Sequence, residues 1–499
     1  MDAQRGLKTA GVMVVFGVVV VCLAVVGTAV GETIYVDGSA SGSNNGSSWT
    51  NAYNYLRDAL ADANSLSVPV EIWVAAGTYT PDVNSAVPGG SGDRNATFQL
   101  INGVAIYGGF PVGGGIWEDR DPNFYETVLS GDLAGDDDLV IEPGTGGGIP
   151  GENCAEAGPI NRGETYFNTM GSTTDGPSDC GTYNDIWYVY TAEYTGHYRV
   201  RSMGISEPYS PGLSVYEGAT CPPTVLLACG TTRVSFTVTE GTDYLIRVGG
   251  QFSYSEGAGT ITITRDMLGD NSYHVVTGSG TDANAILDGL TITSGISAGD
   301  GGGMYNDDGS PTVANCTFNG NSADRNGGGM YNDNSNPTIT NCTFSGNSAV
   351  RNDGGGIFGG GTITNCTFSE NSARSWGGGI RGGGTVTNCT FIGNSAYSGG
   401  GGFCNWYTSP TVINCTFIGN SAYSGGGMQN YLSSPTASPT VTNCTFIGNS
   451  ANKDGGGMQN NRSSPTVTNC TFIGNSANDG SEGRTTMAAG RTMMTAGQG

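Results

Sequence analysis

The chain has 499 residues and carries 43 Asp and Glu against 19 Lys and Arg, which gives a net charge of −24. A nucleic-acid partner needs clustered cations against its phosphates, so this charge excludes nucleic-acid binding as a function. The length exceeds that of one compact domain, and the acidic balance suits a soluble extracellular protein.

Residues 1–31 have the pattern of an export signal. Arg5 and Lys8 precede an apolar run that ends near Val26, and small residues follow it. We therefore expect a secreted or cell-surface protein with no stable membrane span after cleavage. The alternative is an uncleaved anchor, because the apolar run approaches the length of a membrane span.

Residues 32–138 mix short strands with one helix. The stretch "VEIWVAAGTYTP" alternates like a strand and ends at a turn signal, whereas "WTNAYNYLRDALADA" has the apolar spacing of a helix. A helix at the start of a repeat array can cover its open apolar end. We interpret this region as the first coils of a β-helix with a capping helix.

Three acidic residues near the end of that region, Asp132, Asp136 and Asp138, offer oxygen ligands for calcium. They do not match an EF-hand loop, and a solvated acidic turn is the alternative. The sequence indicates no other cofactor.

Residues 139–266 differ in composition and pattern from the region before them. Tyr and Trp are frequent, and segments that alternate like strands recur at regular spacing, such as "DIWYVYTA" and "RVSFTVTEG". This pattern predicts an antiparallel β-sandwich. Gly- and Asp-rich sequence continues on both sides of it, so we expect the sandwich to be inserted into a loop of the first architecture. An even number of cysteines in an exported segment favours two disulfides, with the connectivity open and the nearest neighbours as the local choice: Cys154 with Cys180, and Cys221 with Cys229.

Residues 267–479 repeat one motif seven times, with a Gly-rich start, a stretch of variable length and a segment such as "PTVTNCTFIGNSA". Within "CTF" the period of two places Cys316 and Phe318 on one face and the Thr between them on the other. Val313 precedes Cys316 by three residues, so both can face inward only if the chain turns a corner at Asn315. Asparagine tolerates the left-handed backbone that such a corner needs.

Stacking these coils about 4.8 Å apart aligns each inward residue with its copies and produces a parallel β-helix. The N-C-T triplets formally match glycosylation acceptors, but we expect the corner asparagines to be buried. Cys404 lies in a variable stretch and is the thiol expected to be exposed. The predicted structural core is Cys316, Phe318, Cys342, Phe344, Cys366, Phe368, Cys389, Phe391, Cys415, Phe417, Cys444, Phe446, Cys470 and Phe472.

The two-part repeats "GGGM…FNGN" and "GGGM…FIGN" resemble those of the polymorphic outer membrane proteins, a β-helical family, over about 301–479. The inserted segment resembles the pre-peptidase C-terminal type of β-sandwich, an accessory domain associated with substrate or surface binding. These resemblances imply an all-β fold, in which a right-handed parallel β-helix of the pectate lyase-like kind carries the inserted sandwich. Residues 480–499 form an irregular tail that does not resemble the membrane-anchoring domain of that family, so outer-membrane anchoring is not expected.

The cysteines of the repeat lack the CxxC pairs or histidine partners of a metal site, so we interpret them as core. Length varies only between the Gly-rich start and the next strand, and in repeat proteins such an edge is often the binding face. This loop edge carries five aromatic residues that suit a glycan or a surface protein, although a merely solvated edge is the alternative. They are Tyr305, Tyr331, Trp406, Tyr407 and Tyr431.

Polysaccharide lyases and hydrolases with this fold need paired carboxylates, or a basic residue beside calcium, and the outward strand positions here are mostly Thr. We expect the two histidines, His197 and His274, to be packed residues without a catalytic role. The sequence therefore favours an adhesin or another extracellular binding or structural protein without catalysis. The alternative is a polysaccharide-active enzyme with an unrecognised acidic site.

Overall fold

The computed structural model describes residues 31–67, 69–134, 150–161, 163–177, 182–192, 196–204, 211–231, 233–253, 256–265, 270–431, 439–478 and 486–487. The expected export signal, apart from Gly31, lies outside the described residues, as do Asp136, Asp138 and Cys180.

Four parallel sheets run along a solenoid, and each complete coil visits them in the same order. We name them after their inward residue in the repeats: the methionine, valine, phenylalanine and alanine sheets. The valine sheet has 11 strands, stacked in chain order: Glu32–Val36, Val70–Ala75, Val104–Phe110, Ile286–Asp288, Thr312–Ala314, Thr338–Thr340, Thr362–Thr364, Thr385–Thr387, Thr411–Ile413, Thr440–Thr442 and Thr466–Thr468.

The other three sheets follow the same stacking. The phenylalanine sheet comprises Gly77–Tyr79, Thr127–Ser130, Thr291–Thr293, Thr317–Asn319, Thr343–Ser345, Thr367–Ser369, Thr390–Ile392, Thr416–Ile418, Thr445–Ile447 and Thr471–Ile473. The alanine sheet comprises Ile296–Ser297, Ser322–Ala323, Ser348–Ala349, Ser372–Ala373, Ser395–Gly399, Ser421–Ser424, Ser450–Asp454 and Ser476–Ala477. The methionine sheet comprises Phe98–Gln99, Val276–Thr277, Met304–Asp307, Met330–Asp333, Ile357–Phe358, Ile380–Arg381, Phe403–Trp406, Met428–Tyr431, Met458–Asn461 and, antiparallel at its end, Thr486–Met487.

The inward residues of successive coils stack directly on one another, as the spacing predicts. The rings of the seven phenylalanines from Phe318 to Phe472 are 4.6–5.0 Å apart with nearly parallel planes. The cysteines form a second buried column beside them. Burying one such ring contributes about 1.5–3 kcal/mol, so the two columns are a main source of cohesion between coils.

The first corner of each repeat has the left-handed backbone that the sequence predicts. Asn315 and its six counterparts have φ between 51° and 55°. The expectation that these side chains are buried is wrong, because all seven are exposed. At this convex corner the side chain lies outside the core and the following cysteine takes the interior position. The exposed amides still bond from coil to coil at 2.7–3.2 Å, as Asn341 Nδ2 does to Asn315 Oδ1.

The second corner contains a buried asparagine whose polar atoms are bonded to both neighbouring coils. Asn347 Nδ2 donates to the carbonyl of Phe318 in the coil before at 2.8 Å and to Asn371 Oδ1 in the coil after at 2.9 Å. Its own Oδ1 accepts from the backbone N–H and the Nδ2 of Asn321. Seven such residues, from Asn321 to Asn475, run through the solenoid and satisfy main-chain groups that the turn leaves without strand partners.

An α-helix, Leu56–Ala63, covers the solenoid at its first coils. Its apolar face, which includes Leu56 and Leu60, belongs to the same buried core as Ile34 and the valine sheet. Short 3₁₀ turns lie at Trp49–Asn51, Trp117–Asp119 and Cys154–Glu156. No helix in the described parts of the chain is long and apolar enough to cross a membrane.

A β-sandwich interrupts the solenoid after Ser130. Strands on either side of it pair directly with each other, such as Thr127–Ser130 with Thr291–Thr293, and Ser272 N–H donates to the Gly131 carbonyl at 2.7 Å. One sheet of the sandwich comprises Leu226–Gly230, Pro211–Glu217, Asp243–Gly250, Tyr183–Thr191 and Gly158–Pro159. The other comprises Arg233–Val238, Gly196–Gly204, Ala258–Arg265 and Gly163–Asn168.

The disulfide of the sandwich differs from the local choice. Cys154 is bonded to Cys221, 67 residues away, and Cys229 is a free, exposed cysteine. The local pairing is wrong because chain proximity does not decide which strands and turns of a sandwich meet. Cys180 is outside the described residues.

Candidate functional site

The five aromatic residues expected at the loop edge all lie on the outer face of the methionine sheet or immediately beyond it. Met304 faces the core, Tyr305 faces outward, and Asn306 faces inward again. The strands are in register, so the residue after each methionine forms one outward column, and the third residue after it forms another. Tyr305 and Tyr331 stand in the first column, and Trp406 and Tyr431 stand in the second.

The first column begins with a stack of rings. Tyr305 and Tyr331 are 5.3 Å apart and Tyr331 and Phe358 are 5.1 Å apart, each pair with planes 16° apart. His274 packs on Tyr305 at 4.8 Å, and its Nδ1 donates to the Gly301 carbonyl at 2.7 Å. Its burial lowers the pKa of this histidine. It is therefore a packed residue, as the sequence suggests.

The tyrosine hydroxyls of this stack stay protonated over the physiological range. Partial burial and then the carboxylates of Asp300 and Asp333 raise the pKa of Tyr331 to about 12. Burial and Asp307 likewise raise the pKa of Tyr305. Stacked rings cover one another's faces, so a ligand reaches mainly their edges and hydroxyls, which can donate or accept hydrogen bonds.

Arg381 links this stack to the second column. Its guanidinium lies 4.6 Å from the centre of the Phe358 ring and 5.9 Å from that of Trp406. Its Nε is 3.4 Å from Asp353 Oδ2. Phe358 and Arg381 were not among the residues predicted at the loop edge. Both nevertheless follow the Gly-rich start of a repeat in the same way as Tyr305 and Tyr331. We call the continuous line from His274 to Tyr431 the aromatic strip.

The second half of the strip is a compact group that we call the Trp406 cluster: Trp376, Arg381, Trp406, Tyr407 and Tyr431. Trp406 meets Trp376 edge-on at 4.3 Å, stacks on Tyr431 at 4.8 Å and contacts Tyr407 at 5.6 Å. Tyr407 also meets Tyr431 edge-on at 6.4 Å. The rings of this group lie at several angles, so they do not cover one another as completely as those of the first stack.

Tyr407 has a backbone conformation that is unusual for its residue type. Its φ is 60°, and the residues at the same place in three other coils, Asp308, Asn334 and Arg462, have φ of 52°, 47° and 52°. Asp and Asn tolerate this left-handed region, whereas a bulky aromatic residue does so at a cost of roughly 1 kcal/mol or more. The contacts of the Tyr407 ring with Trp406 and Tyr431 act against that cost, and 53% of Tyr407 still remains exposed.

The inner side of the Gly-rich corner contributes a line of carboxylates beside the strip. Asp300, largely buried, binds Arg325 at 2.7 Å, and Asp353 binds Arg381. Burial raises the pKa of Asp353 even though Arg381 opposes the shift. Cys404, expected to be exposed, is buried, because its outward position faces this concave corner beside Gln429 at 3.8 Å.

The other candidate residues lie apart from the strip. The seven repeat cysteines are core, and the largest cause of the raised pKa of Cys342 is its burial. Asp132 is buried and lines a cleft of about 600 Å³ with Thr78, Glu126 and Thr293. Within the described residues no three His, Cys, Asp or Glu side chains are grouped as metal ligands. Calcium at Asp132 with Asp136 and Asp138 remains a prediction.

Comparison with known proteins agrees with this architecture. A family model described as "right handed beta helix region" matches residues 244–381 and 350–491. No curated protein matches the chain.

Solved structures give only distant similarity. A variant of the catalytic domain of GH87 alpha-1,3-glucanase in complex with nigerose is 10% identical, over 66% of this chain and 96% of that chain, with a TM-score of 0.18. The same variant in complex with tetrasaccharides is 8% identical over 62% of this chain and 98% of that chain, with a TM-score of 0.16. Scores this low carry no functional argument. From the family match and the sheet topology, the chain is a right-handed parallel β-helix protein with an inserted antiparallel β-sandwich.

Proposed function

We propose that this is a secreted or cell-surface binding protein of the adhesin type, which holds glycans at the Trp406 cluster without cleaving them. The observation that carries the proposal is Tyr407: an aromatic ring, 53% exposed, on a left-handed backbone where other coils place the polar residues Asp308, Asn334 and Arg462. An aromatic ring presented to solvent on a strained turn is well placed to contact a ligand.

The chemistry of the Trp406 cluster favours sugars. Sugar rings present apolar C–H faces and hydroxyl edges, which fit exposed aromatic faces flanked by hydrogen-bonding groups. The cluster offers the partly exposed rings of Trp406, Tyr407 and Tyr431. The exposed residue Thr408 follows directly in the turn; its hydroxyl donates to Asn405 Oδ1 and can still accept a hydrogen bond. The cluster lies at the edge where loop length varies among the seven repeats, and repeat proteins commonly bind partners at such an edge.

Two of the carboxylates near the strip, Asp300 and Asp353, are poorly placed for hydrolysis. A glycosidase needs two carboxyl groups about 5–9.5 Å apart that are free to exchange protons with the substrate. Asp300 and Asp353 lie two coils apart, which is about 10 Å at the usual strand spacing. Each is held by an arginine, Arg325 or Arg381. If the alternative of a polysaccharide-active enzyme is correct, the residues to substitute first are Asp307 and Asp333, two exposed carboxylates in register on adjacent strands.

The decisive experiment compares two exposed tyrosines of successive coils. The mature protein and its two variants, Tyr407→Asn and Tyr397→Asn, are screened on immobilised glycans. The affinity for each glycan that binds is then measured by calorimetry. Tyr397 is 69% exposed on the alanine sheet and is the matched control. We expect Tyr407→Asn to weaken glycan binding at least about tenfold, or about 1.4 kcal/mol, and Tyr397→Asn to leave it unchanged. Equal affinity of all three proteins, or no glycan bound by any, would overturn the proposal, and release of reducing ends would favour the enzyme.

A further inference from the structure

The aromatic strip lies in a negative electrostatic environment. The two arginines that act on it, Arg325 and Arg381, are each bound to a carboxylate of the Gly-rich corner. Two more carboxylates, Asp307 and Asp333, are exposed in the second outward column alongside Tyr305 and Tyr331. Four carboxylates against two guanidinium groups leave an excess of negative charge along the strip.

That charge sits on a protein with a net charge of −24. A uronate or sulfated sugar placed on the strip would lose hydration and would meet carboxylates, with both arginines already engaged. A sugar chain without acidic groups meets no such penalty. Its hydroxyls can donate to the carboxylate oxygens and can exchange hydrogen bonds with the protonated phenols of Tyr305 and Tyr331.

The shape of the strip also restricts the ligand. It crosses seven coils from His274 to Tyr431, which is about 29 Å at the usual strand spacing. It is an open line along the solenoid axis, with ring-to-ring distances of 4.8–5.3 Å wherever rings stack. A pyranose in an extended chain repeats at a similar distance, so successive sugars can meet successive coils.

We infer that the ligand of the aromatic strip is an extended polysaccharide chain without acidic groups, bound side-on along several coils. This inference rests on the proposed glycan binding and adds the class of glycan to it. Single sugars and chain ends are poor ligands, because each coil supplies only a small part of the contact area.

The test uses the mature protein and oligosaccharides of increasing length. One series is neutral and consists of gluco- and manno-oligosaccharides. The other series is acidic and consists of oligogalacturonates. We expect affinity for a neutral series to rise with length until the chain spans the strip, with little dependence on salt. Oligogalacturonates of equal length should bind at least about tenfold more weakly. In the double variant Asp307→Asn, Asp333→Asn, the difference in affinity between neutral and acidic oligosaccharides should become smaller. The two substitutions remove carboxylates that repel the acidic sugars.

Two outcomes would overturn the inference while leaving glycan binding intact. In one, oligogalacturonates bind as tightly as neutral oligosaccharides of equal length, and both salt and the Arg381→Gln substitution weaken the binding of the oligogalacturonates. The other is an affinity that does not change beyond a disaccharide. Loss of all glycan binding in every arm, with Tyr407→Asn indistinguishable from the parent, would instead refute the proposed function itself.

Discussion

The backbone N–H of Tyr407 donates to the carbonyl of Tyr431 in the next coil at 3.0 Å. The left-handed turn that presents the Tyr407 ring is thus fixed to the neighbouring coil. The turn is also closed locally, because Asn405 Oδ1 accepts from both the backbone N–H and the hydroxyl of Thr408. A ring held by a rigid turn loses little entropy when a ligand contacts it.

Replacing Tyr407 with Asn should change the stability of the fold little. Asn occupies the left-handed region at lower cost, but the variant loses the half-buried ring and its contacts with Trp406 and Tyr431, so we expect the free energy of unfolding of this coil to change by less than about 1 kcal/mol. Hydrogen exchange of strands Phe403–Trp406 and Met428–Tyr431 measures the change. Much faster exchange in the variant would show that the ring supports the coil and would remove the main argument for its function.

The two asparagine ladders should differ in importance. Asn371 is fully buried, and its amide bonds to Phe344, Asn347 and Asn394, so Asn371→Ala leaves buried groups unpaired and should cost about 2–3 kcal/mol locally. The control is Asn365→Gly, at an exposed left-handed corner where glycine keeps the backbone conformation. It should change stability by less than about 1 kcal/mol.

Local unfolding free energies from hydrogen exchange of the phenylalanine-sheet strands would report both variants. Comparable losses in both would mean that the exposed ladder contributes as much as the buried one, which its solvation argues against.

Cysteine reactivity should separate the sandwich from the solenoid. An alkylating reagent applied to native protein should modify the exposed Cys229 and spare the buried repeat cysteines until the chain is denatured. Peptide mapping without reduction should recover Cys154 linked to Cys221. Native labelling of Cys342 or Cys404, or a cross-linked peptide that contains Cys229, would contradict the structure.

The sandwich should lose stability as pH rises through the titration of one buried carboxyl. Burial and the neighbouring Asp175 raise the pKa of Asp185 to about 6, although the bound Arg247 opposes this. Because the folded-state pKa lies above the unfolded value of about 3.9, the extra stability is complete below about pH 4 and is lost as pH rises through about 6.

Hydrogen exchange of strand Tyr183–Thr191 at about pH 4 and about pH 7, corrected for intrinsic rates, measures this loss. Strand Thr343–Ser345 of the solenoid is the internal reference. Asp185→Asn should abolish the pH dependence of the sandwich relative to that reference. A sandwich that gains stability between these pH values would show that the ion pair with Arg247 governs the titration.

Most of the solenoid could be predicted because its rules are local and repeated. The alternation around Phe318 and the three-residue step from Val313 to Cys316 together fix which side chains face inward and where the chain turns. The exposure of Asn315 could not be predicted in this way. The side chain of a left-handed corner residue can face either the core or the solvent, and which of these it faces depends on the shape of the coil.

The candidate site was only partly predictable for a different reason. Tyr305 and Trp406 were recognisable as loop-edge aromatics, but the contact that joins their columns depends on Arg381 reaching across two rings. The pairing of Cys154 with Cys221 likewise depends on which distant turns of the sandwich meet. Such relationships follow from three-dimensional proximity, which no spacing along the chain encodes.

The buried amide of each second corner also constrains how the sequence can change over generations. Asn347 completes hydrogen bonds for residues of the coil before it and of the coil after it, so an altered copy disturbs both of its neighbours. The seven copies in this chain accordingly agree in "NCTF" and "NSA" and differ most in the stretch that follows each Gly-rich corner. A whole coil, in contrast, can be duplicated or deleted without breaking the asparagine ladder. Each such event lengthens or shortens the outer face of the methionine sheet by one strand.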